Sequence, residues 1–171
     1  MALENIFYTY DALGRNGGYI KIYKIRTMVN GADRHYEDVF LNGIDCFGKI
    51  INDTRIMPLG RLLRKYWIDE LPQIYNILRG DMAFVGIRPR SEKIWSKYTP
   101  EHREDSLRYR PGLFGIAYAN VYVKDQKGTV EGIIEFERSY LREKDESPFW
   151  TDVKYFFRIL NNIIFRGVRS R

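Results

Sequence analysis

Two adjacent carboxylates, Asp69 and Glu70, stand in the middle of the chain between two groups of basic residues. A carboxylate can attack phosphorus as a covalent nucleophile, and the acyl phosphate that forms can pass its group to a second acceptor. Because two anions repel each other, an attack on a diphosphate needs basic side chains or a divalent metal to mask the charge. The pattern therefore indicates phosphoryl-transfer chemistry. The flanking basic residues are Arg64, Lys65, Arg88 and Arg90.

The two acids suit different roles in such a reaction. Asp69 is the candidate nucleophile and Glu70 the candidate metal ligand. Oxygen ligands next to phosphate favour Mg²⁺, or Mn²⁺, over zinc. A structural interpretation stays open beside this one, because an aspartate N-cap followed by a glutamate is ordinary at the start of a helix. Under that interpretation Arg64 and Lys65 form a solvated helix face, and Asp81 serves only a turn into a buried strand.

Two helices are predicted to position the acidic pair. Apolar residues recur at helical spacing over 58–67, opposite basic ones, which predicts an amphipathic basic helix. A second helix is expected over 70–79, with Asp69 as N-cap, Pro72 in the first turn and Gly80 as the C-terminal stop. A helix N-terminus offers free backbone N–H groups and a positive dipole end. A phosphate can therefore be held beside the acids.

The remaining segments predict an α+β fold, a single domain of several amphipathic helices around a small β-hairpin or sheet over residues 1–171. Aromatic and β-branched residues alternate with polar ones around a glycine-bearing turn in 5–28, which predicts the hairpin. Residues 29–54 are polar and irregular, with a short helix expected around Tyr36 to Leu41. Further expected elements are helices within 100–112, 129–145 and 147–167 and a strand over 113–123.

The bulk composition is that of a globular protein with an anionic partner. The chain has 171 residues, a formal charge of +6 and an isoelectric point near 9.4. Such a charge predicts binding to nucleic acid, a phosphorylated small molecule or an acidic membrane surface. The single cysteine excludes an internal disulfide and a cysteine-rich zinc site, which favours a reducing compartment. The sequence has no run of about 18 apolar residues and no signal-peptide pattern.

The C-terminal segment has the pattern of a basic amphipathic helix that lies in a membrane interface. Its basic residues are Lys154, Arg158, Arg166, Arg169 and Arg171, against the single acid Asp152. A helix that packs its apolar face into the core and carries a solvated basic tail is the alternative. The apolar residues at helical spacing are Phe149, Val153, Phe156, Leu160 and Ile164.

Three blocks of the sequence resemble the motif blocks of the bacterial sugar transferases, the monotopic phosphoglycosyl transferases. The blocks are KIYKIRTM at 21–28, RLLRKYWIDELPQIYNILRGDMAFVGIRPR at 61–90 and RPGLFGIAYAN at 110–120. The resemblance runs from about Ile6 to Arg166, and its central block is highly specific. It implies the transfer of a sugar 1-phosphate from a nucleotide diphosphosugar, commonly a UDP-sugar, to a polyprenol phosphate on the cytoplasmic membrane face, the first membrane step in building glycans.

The same resemblance implies a role for each acid. Asp69 corresponds to the nucleophile that forms a covalent phosphosugar intermediate and releases the nucleoside monophosphate, and Glu70 corresponds to the Mg²⁺ ligand. Arg64 and Arg88 match basic residues near the phosphates and the nucleotide. Spacing places Gln73 and Asn76 on the helix face of Asp69. The full set of predicted substrate-binding residues is Arg64, Lys65, Arg88, Arg90, Gln73, Asn76 and Asp81.

The sequence departs from the family pattern in two places. Ile87 replaces the first proline of a Pro-Arg-Pro motif, which loosens the φ restraint on that turn and predicts an altered nucleotide fit rather than lost chemistry. Family members also carry a hydrophobic re-entrant helix just before the block that matches residues 5–17. The printed sequence begins at Met1, so we expect a trimmed or divergent version of the family, or an anchor supplied by another chain.

The expected partners are a nucleotide diphosphosugar, a polyprenol phosphate and a membrane surface, the last through basic amphipathic helices. The expected location is the cytoplasmic face of the cell membrane, as a peripheral protein, or the cytoplasm if no anchor is supplied. The oligomeric state stays open, and a homo-oligomer is compatible with the sequence. Two alternative functions remain: a catalytically silent relative that binds a nucleotide sugar or acts as a scaffold, and a nucleic-acid-binding module, against which the absence of any nucleic-acid-binding motif argues.

Overall fold

The computed structural model describes residues 6–35, 41–45, 49–119 and 127–168. In these ranges the chain forms an α+β fold, which confirms the predicted class, whereas the single domain stays a prediction. The α-helices are α1 (Pro58–Lys65), α2 (Ile74–Leu78), α3 (Glu92–Trp95), α4 (Pro100–Leu107), α5 (Val130–Glu146) and α6 (Pro148–Phe165). The strands are β1 (Phe7–Leu13), β2 (Tyr19–Ile25), β3 (Ile44–Asp45), β4 (Ala83–Gly86), β5 (Gly112–Gly115) and β6 (Lys127–Gly128). Apart from Leu41, the predicted helix around Tyr36 to Leu41 lies outside the described residues.

The predicted hairpin is confirmed as the antiparallel pair of β1 and β2. The strands alternate as a sheet with one buried face requires, so that Ala12 and Ile22 point inward and are fully buried. Gly17, with a φ of 77°, supplies the left-handed backbone that the turn between the strands needs.

Strands β4 and β5 form a short parallel pair in the core. The two backbones approach so closely that a Cβ atom on Gly112 would lie 2.1 Å from the backbone nitrogen of Gly86. Val85 of β4 and Ile116, just after β5, are buried in the main hydrophobic cluster. The predicted strand over 113–123 is wrong for residues 116–119, because the chain turns after Gly115 into a 3₁₀ helix at Ile116–Ala119, and residues 120–123 lie outside the described ranges.

Helices α5 and α6 confirm the two C-terminal predictions and pack against each other. Thr129 caps α5 by accepting a hydrogen bond from the backbone N–H of Gly132, and Pro148 begins α6. Between the helices, the buried Lys144 ammonium lies 2.6 Å from a carboxylate oxygen of Asp152. The polar helix expected within 100–112 is present as α4 and ends at Leu107.

Helix α6 has two contrasting faces. Tyr155, Ile159 and Asn162 are buried against the rest of the fold, as the core-packing alternative requires. Four of the five apolar residues that the sequence predicted to face a membrane interface are exposed, and Val153 is half-buried. The helix therefore packs into the core through one face and presents a second, apolar face to its surroundings. The exposed predicted residues are Phe149, Phe156, Leu160 and Ile164.

Helix α1 is confirmed, but the helix predicted over 70–79 with Asp69 as its N-cap is wrong in form. Trp67 adopts a left-handed conformation after α1, and a 3₁₀ helix at Ile68–Gln73 precedes the shorter α2. The left-handed Trp67 explains the difference, because it starts the helical segment at Ile68, so that Pro72, which has no N–H to donate to the carbonyl of Ile68, falls beyond the first turn. Among the described residues, no helix has the length and apolarity needed to cross a bilayer.

Candidate active site

The acidic pair lies inside the 3₁₀ helix rather than at the cap of an α-helix. Asp69 and Glu70 are 4% and 3% exposed, although both are acids in the first turn of this segment. The 3₁₀ helix packs against β2, whose Lys24 side chain reaches Glu70. Buried carboxylates are costly unless charged or metal partners compensate them, so the surroundings of the pair indicate its purpose.

Two basic side chains fix one oxygen of Glu70. Its Oε1 accepts a hydrogen bond from Nη2 of Arg88 and lies 3.4 Å from Nζ of Lys24. Burial alone would raise the pKa of Glu70, but Arg88, Lys24 and Lys49 outweigh burial and hold that pKa well below its ordinary value. Glu70 is therefore an anion at neutral pH, held in one orientation from two sides.

Asp69 has the opposite electrostatic environment. Burial, followed by the neighbouring Glu70 carboxylate, raises the pKa of Asp69 above its ordinary value, against the opposing charges of Lys24 and Arg64. Its Oδ1 is buried without a hydrogen-bond partner among the described residues, and so is Oε2 of Glu70. Natural proteins rarely leave such atoms unpaired, and functional sites are where they do so.

The unpaired Oε2 of Glu70 suits a divalent cation held together with a phosphorylated substrate. The described part of the chain contains no cluster of three or more His, Cys, Asp or Glu residues that could hold a metal. Mg²⁺ does not need such a cage, since it commonly takes one or two carboxylates and completes its shell with substrate phosphates and water. Oε2 of Glu70 is the first ligand that the geometry offers.

Of the other predicted substrate-binding residues, Arg64 lies near the acids. Its Nε donates to Oγ1 of Thr27 at 2.8 Å, and its charge acts on Asp69. Lys65 is exposed, and its ammonium lies 5.5 Å from the ring centre of Tyr66 instead.

Gln73, Asn76 and Asp81 have different surroundings. Gln73 and Asn76 are fully buried, and Nδ2 of Asn76 donates to the backbone oxygen of Lys21 at 2.7 Å. This bond ties α2, which directly follows the acid-bearing 3₁₀ helix, to β2. Asp81 lies in the turn before β4, where its carboxylate is 3.3 Å from Arg79. The substrate roles of these residues stay predictions.

Arg90 points away from the acidic pair. Its guanidinium makes a two-pronged contact with Glu137 at 2.6 and 3.0 Å, and it stacks on the rings of Trp95 and Tyr98 at 4.8 and 4.3 Å. Glu137 in turn lies 2.7 Å from Nε2 of the buried His102. Arg90 therefore anchors the Arg88-bearing segment to α5, whereas Arg88, two residues earlier, reaches the acids.

Lys24 and Tyr118 belong to the site but were not singled out from the sequence. Lys24 lies on the inward face of β2 with Ile22, a placement that strand alternation could have revealed. The Tyr118 hydroxyl lies 3.5 Å from Nη1 of Arg88, and its ring meets the edge of Trp67. Burial would raise the pKa of Tyr118, but Lys49 and Arg88 outweigh burial and lower the pKa.

Ile87, the departure from the expected proline, is a core residue. Its side chain is buried, and its carbonyl accepts a hydrogen bond from the Gly112 N–H at 2.8 Å. The packing of β4 on β5 therefore fixes this turn, and it takes over the restraint on φ that a proline ring would impose. An altered nucleotide fit stays a prediction.

Comparison with known proteins identifies the family of the chain. Residues 2–166 match the family model described as bacterial sugar transferase. Galactosyl transferase CpsE of Streptococcus agalactiae is 29% identical over 92% of this chain and 34% of its own length. Exopolysaccharide production protein ExoY of Sinorhizobium fredii is 38% identical over 66% of this chain and 52% of its own length.

A third relative, from Caulobacter vibrioides, carries the name UDP-glucose:undecaprenyl-phosphate glucose-1-phosphate transferase. It is 32% identical over 88% of this chain and 54% of its own length. The chain thus spans between about a third and about half of the length of these three relatives. Because the family model covers nearly the whole sequence, including the acidic pair and its basic neighbours, the chain belongs to the bacterial sugar transferase family.

Proposed function

We propose that this protein transfers a sugar 1-phosphate from a nucleotide diphosphosugar, a UDP-sugar, to a polyprenol phosphate through a covalent intermediate on Asp69. The observation that best supports this function is the buried Oδ1 of Asp69, which has no hydrogen-bond partner among the described residues. It lies next to Glu70, which Arg88 and Lys24 hold in place. The name of the Caulobacter relative, which specifies UDP-glucose and undecaprenyl phosphate, supports the choice of substrates.

The reaction proceeds in two displacements at one phosphorus. Oδ1 of Asp69 attacks the phosphorus that carries the sugar, and the bond to the nucleoside monophosphate breaks with its electron pair on the departing oxygen. A phosphate oxygen of the polyprenol phosphate then attacks the same phosphorus and releases the Asp69 carboxylate. A raised pKa suits Asp69 to this role, because a more basic carboxylate is a better nucleophile.

The surrounding residues stabilise the charge that develops on the phosphates. Lys24, Arg64 and Arg88 bring three fixed cations to the pair, in a site largely closed to water, where electrostatic stabilisation is strongest. Glu70 would hold Mg²⁺, or Mn²⁺, through Oε2. The cation, when bound, masks the negative charge of the diphosphate. Glu70 itself forms no bond to the sugar phosphate.

The covalent mechanism predicts a trapped intermediate. Without acceptor, incubation with Mg²⁺ and a panel of radiolabelled nucleotide diphosphosugars should label the peptide that contains Asp69 and release an equal amount of nucleoside monophosphate. Hydroxylamine should remove the label, because the bond is an acyl phosphate. If no donor of a broad panel labels the protein, the covalent mechanism is wrong. Donor binding without turnover would then favour the silent relative.

We assign the membrane contact to two exposed apolar surfaces on the described elements. One runs along α1 and α2, where Leu59 is 66% and Leu78 is 81% exposed, and the other is the outer face of α6. Exposed basic residues accompany both surfaces, among them Arg61 and Arg158. Apolar faces flanked by cations are typical of segments that lie in an anionic lipid interface. This supports a peripheral position on the cytoplasmic membrane face, where the polyprenol phosphate is met.

Vesicle flotation tests the membrane surface. The protein should float with phosphatidylglycerol-containing vesicles, and the double substitution Leu62→Ser with Leu78→Ser should reduce the bound fraction at least about threefold, because two apolar side chains lose their burial in lipid. Leu41→Ser is the matched control, since Leu41 is 87% exposed but lies on neither surface. Equal flotation of the double variant and the parent would argue against this surface.

A further inference from the structure

A cavity of about 400 Å³ lies beside the acidic pair, between the inner face of the hairpin and the loop that follows β2. Cavities of this size are typical of small-molecule and cofactor sites, which measure about 300–1,000 Å³. Lys24 and Arg64 line the cavity and also act on Asp69. Neither acid lines the cavity itself, but the side chains of Lys24 and Arg64 connect the cavity wall to the acids.

The cavity is strongly basic. None of the residues that line it is acidic, and five are basic, so its field favours an anion. Three of the five hold defined positions: Lys24 lies against Glu70, Arg55 pairs with Asp53, and Arg64 donates to Thr27. The basic lining residues are Lys24, Arg26, Arg55, Arg64 and Lys93.

At the end formed by β1, the cavity also has an aromatic wall. The rings of Tyr8 and Tyr10 stack at 6.0 Å with an interplanar angle of 24°. Tyr10 is fixed by a hydrogen bond from its hydroxyl to the backbone oxygen of Pro89 at 3.3 Å, and the guanidinium of Arg26 lies 5.9 Å from the ring centre of Tyr8. Flat aromatic rings beside a guanidinium form a surface on which a planar ring can stack.

Arg26, which also lines the cavity, has a hydrogen-bond donor for which the described residues supply no acceptor. Its Nη2 donates to the backbone oxygen of Phe7 at 3.4 Å, but its Nε is buried without a partner among the described residues. A buried donor without an acceptor is costly, and a ligand that supplies an acceptor removes that cost. Since a guanidinium has only donors, the matching ligand group is a carbonyl or another acceptor.

We propose that this cavity is the nucleoside subsite of the donor. The base lies against Tyr8, with a carbonyl edge such as that of uracil accepting from Nε of Arg26, and the diphosphate extends towards Lys24 and Arg64. A sugar would favour carboxylate or amide side chains, and no Asp, Glu, Asn or Gln lines the cavity, whereas a polyprenol chain would favour a wall without five basic residues. The inference rests on the proposed function, because it assigns one end of the same donor.

Binding of uridine monophosphate, measured by calorimetry, tests the subsite without requiring turnover. Tyr8→Leu and Arg26→Gln should each raise the dissociation constant of uridine monophosphate about tenfold, through lost stacking and a lost charged hydrogen bond respectively. The dissociation constant of inorganic pyrophosphate should change less than about twofold in Tyr8→Leu, because Tyr8 contacts the base and not the phosphates. In the unaltered protein, nuclear Overhauser effects should join the uracil protons to the ring of Tyr8.

Two substitutions in the same hairpin serve as matched controls. Tyr19→Leu removes an exposed tyrosine from the outward face, and Arg15→Gln removes an exposed arginine from the turn. Neither residue lines the cavity, so both variants should bind uridine monophosphate as the parent does. A thermal melt of each variant establishes that it is folded, and the Overhauser measurement decides the question if Tyr8→Leu does not fold.

The outcomes separate the subsite from the proposed function. If Asp69 is labelled by a donor but neither cavity substitution weakens uridine monophosphate, or if no Overhauser effect reaches Tyr8, the nucleoside lies elsewhere and the subsite is wrong. Failure of the parent to bind uridine monophosphate also overturns it. If uridine monophosphate binds as expected but no donor labels Asp69, the subsite stands and the covalent mechanism falls.

Discussion

Asp69→Asn is expected to abolish sugar-phosphate transfer while leaving the fold intact. An amide has the shape of the carboxylate but cannot form the acyl phosphate, so kcat should fall by at least about 10³-fold. The substitution also removes a charge that burial disfavours, as the raised pKa of Asp69 shows, so the melting temperature should stay equal or rise. The release of nucleoside monophosphate from the donor measures the first step, and a thermal melt measures the fold.

Glu70→Gln distinguishes the two acids, because it should damage both activity and stability. Glu70 compensates Arg88 and Lys24, and its removal leaves their charges buried without a partner, at a cost of about 3–5 kcal/mol. Asp105→Asn, on the exposed face of α4, is the matched control and should change neither property.

Retention of a tenth or more of the activity by Asp69→Asn, or a loss explained by unfolding, would remove Asp69 from the role of nucleophile.

The sequence alone revealed much of the fold because its helices and hairpin obey local rules. Helix α6 follows from apolar periodicity and from the start signal at Ser147 and Pro148, and the hairpin follows from alternation around a glycine turn. The 3₁₀ form of residues 68–73 was missed, since the same proline is tolerated in the first turn of an α-helix. The deciding contribution came from Trp67, whose left-handed backbone no propensity rule predicts.

The sequence alone identified the site through its two acids, but the different roles of its arginines became visible only in the folded structure. Arg88 and Arg90 are equivalent by composition and differ by two positions, yet Arg88 meets Glu70 and Arg90 meets Glu137. The partner of Arg90 stands 47 residues further along the chain, on α5, and only the tertiary fold brings the two together. Long-range pairing of this kind leaves no local pattern. The exposed outer face of α6, in contrast, was readable from periodicity.

Gly115→Ala is expected to reduce turnover about 10²-fold by moving Arg88. A Cβ atom on Gly115 would lie 2.5 Å from Cγ and 2.8 Å from Cδ of Arg88. The Arg88 side chain must therefore move away from residue 115, and its guanidinium no longer reaches Glu70 as before. A displacement of about 1 Å in a catalytic group can cost that factor. The backbone at Gly115 does not have a positive φ, so alanine meets no conformational barrier there. Steady-state kinetics with the preferred donor measures the effect.

A double-mutant cycle tests whether the clash acts through Arg88. Arg88→Ala alone should lower activity strongly, but it also removes Cγ and Cδ, so adding Gly115→Ala to it should cost nothing further. Gly18→Ala is the matched glycine control, because the nearest atom to its Cβ is 3.9 Å away, and it should leave kcat unchanged. An equal loss from Gly115→Ala in both backgrounds would mean that the glycine serves the β4–β5 pair instead. A loss confined to the parent background would identify Gly115 as the residue that leaves room for the Arg88 side chain to reach Glu70.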